Sequence, residues 1–524
     1  MPCLLTLVLL VLLPTADPAI EADLIIRGAT VYDGSGKPGK LGDLAIRGER
    51  IVAVGRFAVA GKPRVIDGAG LIVAPGFIDL HTHSDMPLTK PATRANKCYL
   101  VQGVTTVVTG NCGFGPSDVA GYFRTLEKNG IGTNVIHQVP HNDVRRKVMG
   151  NANRLPTKAE LRKMEAVVDR AMKDGAWGLS TGLIYNPGTY AKTDELIALA
   201  KMAARHGGFY ASHIRGESAN LLPAIDEALT IGREAKLPVH ISHLKASGRQ
   251  FWGKAVDAVA LIDKARKHGQ AVTADQYPYT ASSTSLAAMV VPPLFREGSQ
   301  KDFLARLDDA DQGPRIKKAI AERLKGQDDG KALRIAGYAP KKEWQGKDLA
   351  AIAATEKQSP LDIVLEIERH GGAKVIIFGM SDEDMRYIMK QPFVATASDG
   401  ASQVLDDAMP HPRSYGCFPR KIGRYAIDDK VLPVEQAIRS ASGLPADILK
   451  LTDRGYLKKG YCADVVVFDP KTYRDTATYD KPHQYATGVR YLFVNGKLVV
   501  EDGKFKEVLA GKVLRHKSTA PGGQ

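Results

Sequence analysis

The segment Val73-Ala-Pro-Gly-Phe-Ile-Asp-Leu-His81-Thr-His83-Ser-Asp85 sets the architecture of this chain. Its Pro-Gly pair breaks any helix, and the apolar run 77–80 that follows has the length of a buried parallel strand. His81 and His83 end that run on one face, because side chains of a strand alternate, so both can bind one metal ion. Parallel barrels carry their chemistry at this end of their strands. A lone His-x-His pair is weak evidence, so the interpretation requires further ligands.

Alternating β-type and helical patterns predict a parallel (β/α)8 barrel. The eight strand candidates are residues 77–83, 105–110, 134–139, 177–181, 208–213, 238–243, 271–277 and 393–399. The interval before the last strand is too long for one crossover, and its charged, proline-punctuated part, about 289–347, predicts an inserted subdomain at the barrel mouth. We therefore place the barrel at residues 76–424.

The sequence patterns at both ends of the chain predict short β-hairpins. Asp-Gly and Gly-Glu turns interrupt the N-terminal runs, and Asn495-Gly496 is a strong hairpin turn near the C-terminus. We predict one small β-sandwich built from residues 23–75 and 425–516, beside the central barrel.

The bulk composition is that of an ordinary globular protein. The 524 residues are 44% hydrophobic and 25% charged, and they exceed what a single compact core accommodates. The net charge is +15, but lysine and arginine are spread along the chain without a basic block or a reader motif. We therefore expect no nucleic-acid partner; a basic surface could still attract anionic substrates or a cell-envelope polymer. The sequence gives no indication of the oligomeric state.

An apolar run at residues 4–13, followed by Pro14 and small residues, is typical of a secretory signal. Its fit is imperfect, because no lysine or arginine precedes the run. About ten apolar residues are too few to span a bilayer, and no other stretch is a stable membrane span. We expect a signal peptide over residues 1–22 and an exported protein, periplasmic or secreted.

Further candidate ligands fall on the ends of other strands. His213 ends strand five, His243 ends strand six and Asp399 ends strand eight. With the first two histidines, these groups suit a zinc ion that keeps an open position for water. Cys112, between glycines after strand two, adds a thiolate ligand or is simply a small buried residue. It is one of four cysteines after the signal, which are too few for a disulfide framework and include no C-x-x-C pair.

Eight segments carry a resemblance to a known family. They are Pro75-Gly-Phe-Ile-Asp-Leu-His-Thr-His-Ser-Asp85, Gly103-Val-Thr-Thr-Val-Val-Thr-Gly-Asn-Cys-Gly113, Gly182-Leu-Ile-Tyr-Asn-Pro-Gly188, Ser212-His-Ile-Arg215, Ser242-His-Leu-Lys245, Tyr277-Pro-Tyr-Thr280, Ser398-Asp-Gly400 and His411-Pro-Arg-Ser-Tyr-Gly416. The chain resembles the N-acyl-D-amino-acid deacylases (D-aminoacylases) of the amidohydrolase superfamily. The Asn-Cys-Gly motif marks this branch, as does the end of strand four, which lacks the carboxylated lysine common in related binuclear hydrolases.

The resemblance implies a zinc-dependent hydrolase acting on a small-molecule N-acyl-D-amino acid. It implies a tight zinc on Cys112, His213 and His243, and a second, weaker divalent position on His81, His83 and Asp399. Asp399 is the expected general base and acid, since it can accept the proton of the attacking water and pass it to the amine. The guanidinium of Arg413 is the first candidate for holding the substrate α-carboxylate. Lys245, Tyr185, Tyr277 and Ser283 match the family's substrate contacts, whereas Asn142-Asp143-Val144 and Asn186 depart from its usual residues and leave the side-chain preference open.

Three alternatives stay open at this point. One is a dipeptidase acting on peptides with a C-terminal D-residue, which the same carboxylate clamp would accept. Another is a cyclic-amide hydrolase of the dihydroorotase or hydantoinase type, against which the missing strand-four lysine argues. The third is a non-catalytic scaffold, which should lack several ligands, yet all six are present.

Overall fold

The computed structural model of this chain describes residues 19–518. The predicted signal segment 1–22 lies mostly outside the described residues, and export stays a prediction. Within the described part of the chain, none of the helices combines the length and the apolar character needed to cross a membrane.

Eight parallel strands form a closed barrel. They are β1 Phe77–Asp79, β2 Val104–Thr109, β3 Asn134–His137 continued by Val139–Pro140, β4 Gly178–Gly182, β5 Phe209–His213, β6 Val239–Ile241, β7 Val272–Gln276 and β8 Val394–Thr396. The second part of β3 pairs with β4, and a parallel bridge between Thr82 and Gly400, just after β1 and β8, closes the ring. All eight predicted strands are present, and the predicted (β/α)8 fold is confirmed.

Helices surround the barrel strands. They are Lys97–Leu100, Val119–Asn129, His141–Met149, Lys158–Lys173, Thr193–Arg205, Leu221–Ala235, Lys254–Lys267, Asp382–Met389, Arg413–Pro419, its π-helical continuation Arg420–Asp428, Val434–Ala441 and Gly443–Ile448. Lys158–Lys173 shows why they form: Thr157 and Glu160 make a capping box at its start, and Met164, Val168 and Met172 recur at helical spacing on its buried face. Such helices seal the outer face of the strands and leave the polar chemistry to the strand ends.

The contact that closes the barrel also positions three predicted ligands. The His83 N–H donates to the Gly400 carbonyl at 2.7 Å, and the Asp399 N–H donates to the His81 carbonyl at 2.8 Å. Backbone hydrogen bonds thus bring the end of β1 against the end of β8, although more than 300 residues separate them in the chain.

An inserted layer lies between β7 and β8. Its antiparallel sheet has the order Ser282–Ser285, Lys374–Ile377, Leu333–Gly337, and its helices are Leu286–Val290, Gln300–Asp308, Gln312–Lys325, Leu349–Glu356 and Pro360–Arg369. Residues of these elements form a hydrophobic core of their own. The layer extends beyond the predicted 289–347, because its central strand is the last in sequence and pairs back to the first. The other domain borders stay predictions.

The two ends of the chain form one nine-stranded sheet. Its strands are Leu24–Val31, Lys40–Arg47, Arg50–Gly55, Arg64–Asp67, Ile72–Pro75, Val465–Phe468, Val489–Val494, Lys497–Glu501 and Lys504–Phe505, while Ile20–Glu21 pairs separately with Val59–Ala60. Val465–Phe468 joins the halves by pairing antiparallel with Ile72–Pro75. Asn495 and Gly496, with φ of 49° and 76°, make the predicted two-residue hairpin turn. The predicted composite β domain is therefore present beside the barrel.

Candidate metal centre

The six predicted metal ligands converge at the C-terminal rim of the barrel. Cys112 Sγ lies 3.7 Å from His213 Nδ1 and 3.8 Å from His243 Nε2, and those two nitrogens are 2.7 Å apart. Neighbouring donors on a tetrahedral zinc, with Zn–S of about 2.3 Å and Zn–N of about 2.0 Å, are roughly 3.3–3.6 Å apart. The two sulfur–nitrogen distances are close to this spacing, and the two nitrogens lie closer together than it. These three donors, all on buried side chains, surround a position for one zinc with a fourth position left for water.

The other three predicted ligands form a second group beside the first. Asp399 Oδ1 lies 3.0 Å from His83 Nε2 and 3.5 Å from His81 Nε2. His81 Nε2 also lies 3.2 Å from Cys112 Sγ, so His81 stands between the two groups. The His83 side chain is 32% exposed, whereas the His81 side chain is fully buried. This second position is therefore the more accessible one.

Three of the ligand residues have left-handed backbone conformations. The φ angles of Cys112, His243 and Asp399 are 52°, 36° and 49°. Residues other than glycine adopt this backbone conformation at a cost in free energy, and such strain concentrates at functional sites. A side chain at Gly110, two residues before the cysteine, would clash with the carbonyl of Gln138. Gly110 therefore allows the close backbone approach that precedes Cys112 at the end of β2.

The surroundings of the thiol and of the carboxylate stabilise their ionised forms. Burial raises the pKa of Cys112, but its contacts with His81, His213 and His243 outweigh that effect and hold the pKa well below its usual value. Burial likewise raises the pKa of Asp399, but the Arg413 guanidinium, 2.7 Å from Oδ2, brings it well below the ordinary range. A thiolate and a carboxylate are the forms in which these residues bind a cation.

Arg413, Ser283 and Tyr277 adjoin the second group. Arg413 Nη1 donates to Asp399 Oδ2, Nη2 donates to the Ser283 carbonyl at 3.2 Å, and the guanidinium lies 4.9 Å from the centre of the Tyr277 ring. The structure therefore brings these three predicted substrate contacts together on the Asp399 side of the site.

Tyr185 and Lys245 adjoin the first group. The Tyr185 ring centre is 5.1 Å from that of His213 and 5.0 Å from that of Phe114. Lys245 is buried, and its Nζ donates to Glu217 Oε1 at 2.5 Å. Lys245 therefore lies behind His243, and at least one of its N–H donors is used by Glu217 rather than by a substrate.

Sequence reasoning missed two carboxylates that hold the ligand histidines, the fully buried Asp275 and the partly buried Glu217. Glu217 Oε1 lies 2.9 Å from His243 Nδ1, the ring nitrogen that faces away from the cysteine. Asp275 Oδ2 lies 3.3 Å from His81 Nδ1 and 2.8 Å from His240 Nε2. An acid at the end of an apolar strand was a signal for Asp275, whereas Glu217 lies in a loop and shows no signal of its own.

A closed (β/α)8 barrel with a cysteine, histidines and a carboxylate at its C-terminal rim defines a metal-dependent hydrolase. The amidohydrolase family profile matches residues 64–500, and the chain belongs to the amidohydrolase family.

Curated relatives cover nearly the whole chain. A D-aminoacylase of Alcaligenes xylosoxydans xylosoxydans is 36% identical over 94% of this chain and 97% of its own length. An N-acyl-D-aspartate deacylase and an N-acyl-D-glutamate deacylase of the same organism are also 36% identical, over 97% and 96% of this chain and 98% of each relative. The resemblance stated from the sequence is confirmed.

Solved structures agree with these relatives. A D-aminoacylase crystal structure superposes with a TM-score of 0.81 at 36% identity and covers 94% of this chain and 100% of its own. The N-acyl-D-glutamate deacylase of Bordetella bronchiseptica, solved with zinc and a phosphonate mimic of the tetrahedral intermediate, superposes with a TM-score of 0.81 at 33% identity, covering 95% and 100%. A D-hydantoinase from a Bacillus species, at 16% identity, shares the fold alone.

Proposed function

We propose that this chain is a zinc-dependent hydrolase of N-acyl-D-amino acids, releasing a carboxylate and a free D-amino acid. The observation that carries the proposal is the Cys112, His213 and His243 cluster, with Asp399 beside it, in a chain 36% identical to a D-aminoacylase over 94% of its length. The donor set supports one tight zinc site and a second, weaker divalent position.

The side chains of the site divide the work of amide hydrolysis. A zinc held by Cys112, His213 and His243 would lower the pKa of its water to about 7 and would supply a Lewis acid for the amide carbonyl. Asp399 has one oxygen on the metal side, near His81 and His83, and the other on Arg413. Because Arg413 fixes its orientation, the carboxylate can accept the proton of the attacking water and deliver it to the departing amine nitrogen.

Arg413 is the group best placed to hold the α-carboxylate of the substrate. Its guanidinium carries five N–H donors, and the contacts with Asp399 and the Ser283 carbonyl use only part of them. A substrate carboxylate bound to the remaining donors of Arg413 would lie near Asp399, the proposed base. The same clamp would accept the C-terminal carboxylate of a peptide ending in a D-residue.

A substrate panel tests this function. We expect N-acetyl-D-methionine to be hydrolysed with kcat/KM at least about 10²-fold above that of its L-enantiomer, because a site that fixes both the α-carboxylate and the amide leaves one orientation for the side chain. Release of the free amino acid is the measurement. Preferential turnover of glycyl-D-methionine would favour the dipeptidase, and turnover of a hydantoin with no activity on the acyl amino acids would contradict the proposal.

One unpaired arginine favours substrates with an acidic side chain. Arg296 of the inserted layer donates to the Ile184 carbonyl at 3.3 Å, beside Tyr185. Its Nε is buried without a hydrogen-bond partner, and no ion pair is formed to it within the described residues. Burial lowers the pKa of Arg296, and Tyr190 and Glu368, which act in the opposite sense, do not offset it, so a further counter-charge would stabilise the guanidinium. The carboxylate of an aspartyl or glutamyl side chain would supply that counter-charge.

Replacing this arginine separates the two substrate types. We expect Arg296→Met to reduce kcat/KM for N-acetyl-D-glutamate by about 10²-fold and to leave that for N-acetyl-D-methionine within about threefold, since only the acidic side chain loses a charge-assisted hydrogen bond. Arg323→Met is the matched control, because Arg323 donates only to the Met289 and Val291 carbonyls. Equal losses on both substrates would show that Arg296 merely supports the layer.

A further inference from the structure

Asp275 on β7 is a side chain outside the predicted ligand set that touches ligand residues of both metal positions. It is fully buried, and its Oδ1 accepts the backbone N–H of His243 at 2.8 Å. Its Oδ2 faces His81 Nδ1 at 3.3 Å and His240 Nε2 at 2.8 Å. One carboxylate therefore connects β7 to the ends of β1 and β6.

The contact with His81 determines which ring nitrogen of that histidine carries the proton. An ionised carboxylate only accepts hydrogen bonds, so the Nδ1 that faces Asp275 is the protonated nitrogen. In the neutral ring, the form that binds a metal, the lone pair is then on Nε2, which lies 3.2 Å from Cys112 Sγ and 3.5 Å from Asp399 Oδ1. Asp275 thus presents His81 to the metal centre in its ligating tautomer.

The contact with His243 supports an unusual backbone conformation. The φ of His243 is 36°, a left-handed value that costs free energy for a residue with a side chain. The hydrogen bond from its N–H to Asp275 Oδ1 stabilises that conformation, and this conformation directs the ring toward the cysteine, with Nε2 3.8 Å from Sγ. Glu217 acts on the other side of the same ring, at Nδ1, and makes no contact with His81 among the described residues.

We propose that Asp275 is a positioning residue that couples the two metal positions, by setting the tautomer of His81 and by holding the backbone of His243. The inference rests on the metal centre of the proposed function and not on its substrate. The two contacts use different oxygens of the carboxylate, so an amide in its place separates them.

Asp275→Asn discriminates between the two roles. The amide oxygen can keep the His243 N–H bond only if the NH2 group faces His81, and a donor there drives the His81 proton to Nε2, where it blocks metal binding. His240 adapts without loss, because its Nδ1 faces the Thr273 hydroxyl at 2.9 Å and a hydroxyl both donates and accepts. The amide variant therefore keeps its local packing and loses one ligand of the weaker position.

The experiment titrates the metal-free protein with zinc against a chelator and follows the cobalt–thiolate absorption of Cys112 after cobalt substitution. For Asp275→Asn we expect an unchanged tight site and cobalt band, and a dissociation constant of the weaker site raised by about 10–100-fold. Asp275→Ala loses both contacts and weakens both sites. Thr273→Val is the matched control and keeps both affinities, because the Thr273 hydroxyl contacts His240 and the Val239 carbonyl but neither His81 nor His243 among the described residues.

Two results would overturn the inference. In one, Asp275→Asn binds both metals as the parent does, which excludes the tautomer role. In the other, both affinities of Asp275→Asn fall equally, in step with a lower melting temperature of the metal-free protein, which reveals a general structural role. Because no substrate is used, a wrong substrate assignment would leave these outcomes intact.

Discussion

Cys112→Ala is expected to lose its tightly bound zinc and its hydrolytic activity together, with kcat/KM reduced by at least about 10³-fold, because the water loses its activating metal. The thiolate is the only sulfur among the six converging groups, and it lies 3.7 Å and 3.8 Å from the two histidine nitrogens it is proposed to join. Without it, His213 and His243 are two imidazoles with no shared anionic ligand. Elemental analysis of the dialysed protein and an N-acyl-D-amino-acid assay measure the two losses.

Cys98→Ala is the matched control for this experiment. Cys98 is also a fully buried free cysteine, but burial raises the pKa of its thiol to about 11. The Cys98 thiol is therefore neutral and contributes only to packing. The Cys98→Ala variant should keep zinc and activity. If the Cys112 variant retained one zinc ion per chain after dialysis, the thiolate would not be a ligand.

Asp399→Asn should abolish most of the turnover while the tight zinc remains bound. General acid and base catalysis contributes about 10²–10⁴-fold, and an amide cannot accept the proton of the attacking water. Asp399 is not among the three residues that hold the tight zinc, so the loss falls on kcat and on the weaker position. The measurements are kcat and KM at saturating zinc, with metal content determined in parallel.

The same substitution removes the counter-charge of Arg413, which donates to Asp399 Oδ2. A freed guanidinium binds the α-carboxylate at least as well, so we expect KM to stay level or fall while kcat collapses. Asp384→Asn is the matched control, because this buried aspartate accepts the Gly253 N–H and makes no hydrogen bond to the metal-centre residues in the described part of the chain. Unchanged kcat in the Asp399 variant with zinc bound would exclude it as the base.

Much of the barrel could be predicted because its signals are local. The apolar run before His81 is bounded by Pro-Gly, and seven similar runs follow it in alternation with helical patterns. The sequence underestimated the extent of the inserted layer, because the pairing that defines the layer is not local. Its strand Lys374–Ile377 belongs to the layer because it pairs with Ser282–Ser285. No local pattern in either segment predicts a partner so distant in the sequence.

The candidate ligands could also be predicted from the sequence, whereas the residues in loops and in the inserted layer that surround them could not. His81, His83, His213, His243 and Asp399 each end a predicted strand, and strand ends of a parallel barrel meet at one rim. Glu217 lies in a loop and Arg296 ends a short 3-10 helix of the inserted layer, so their positions depend on how those segments fold over the rim.

The sequence by itself determined which segments form the barrel strands, which six residues are potential ligands and the rim on which they meet, because strand segments and side-chain alternation follow from local pattern. Only the tertiary structure decided which ligand atoms face one another and which carboxylate orients which histidine. Those choices depend on distances of about 3 Å between distant parts of the chain, which hydrogen bonds and barrel closure set and which no local pattern encodes.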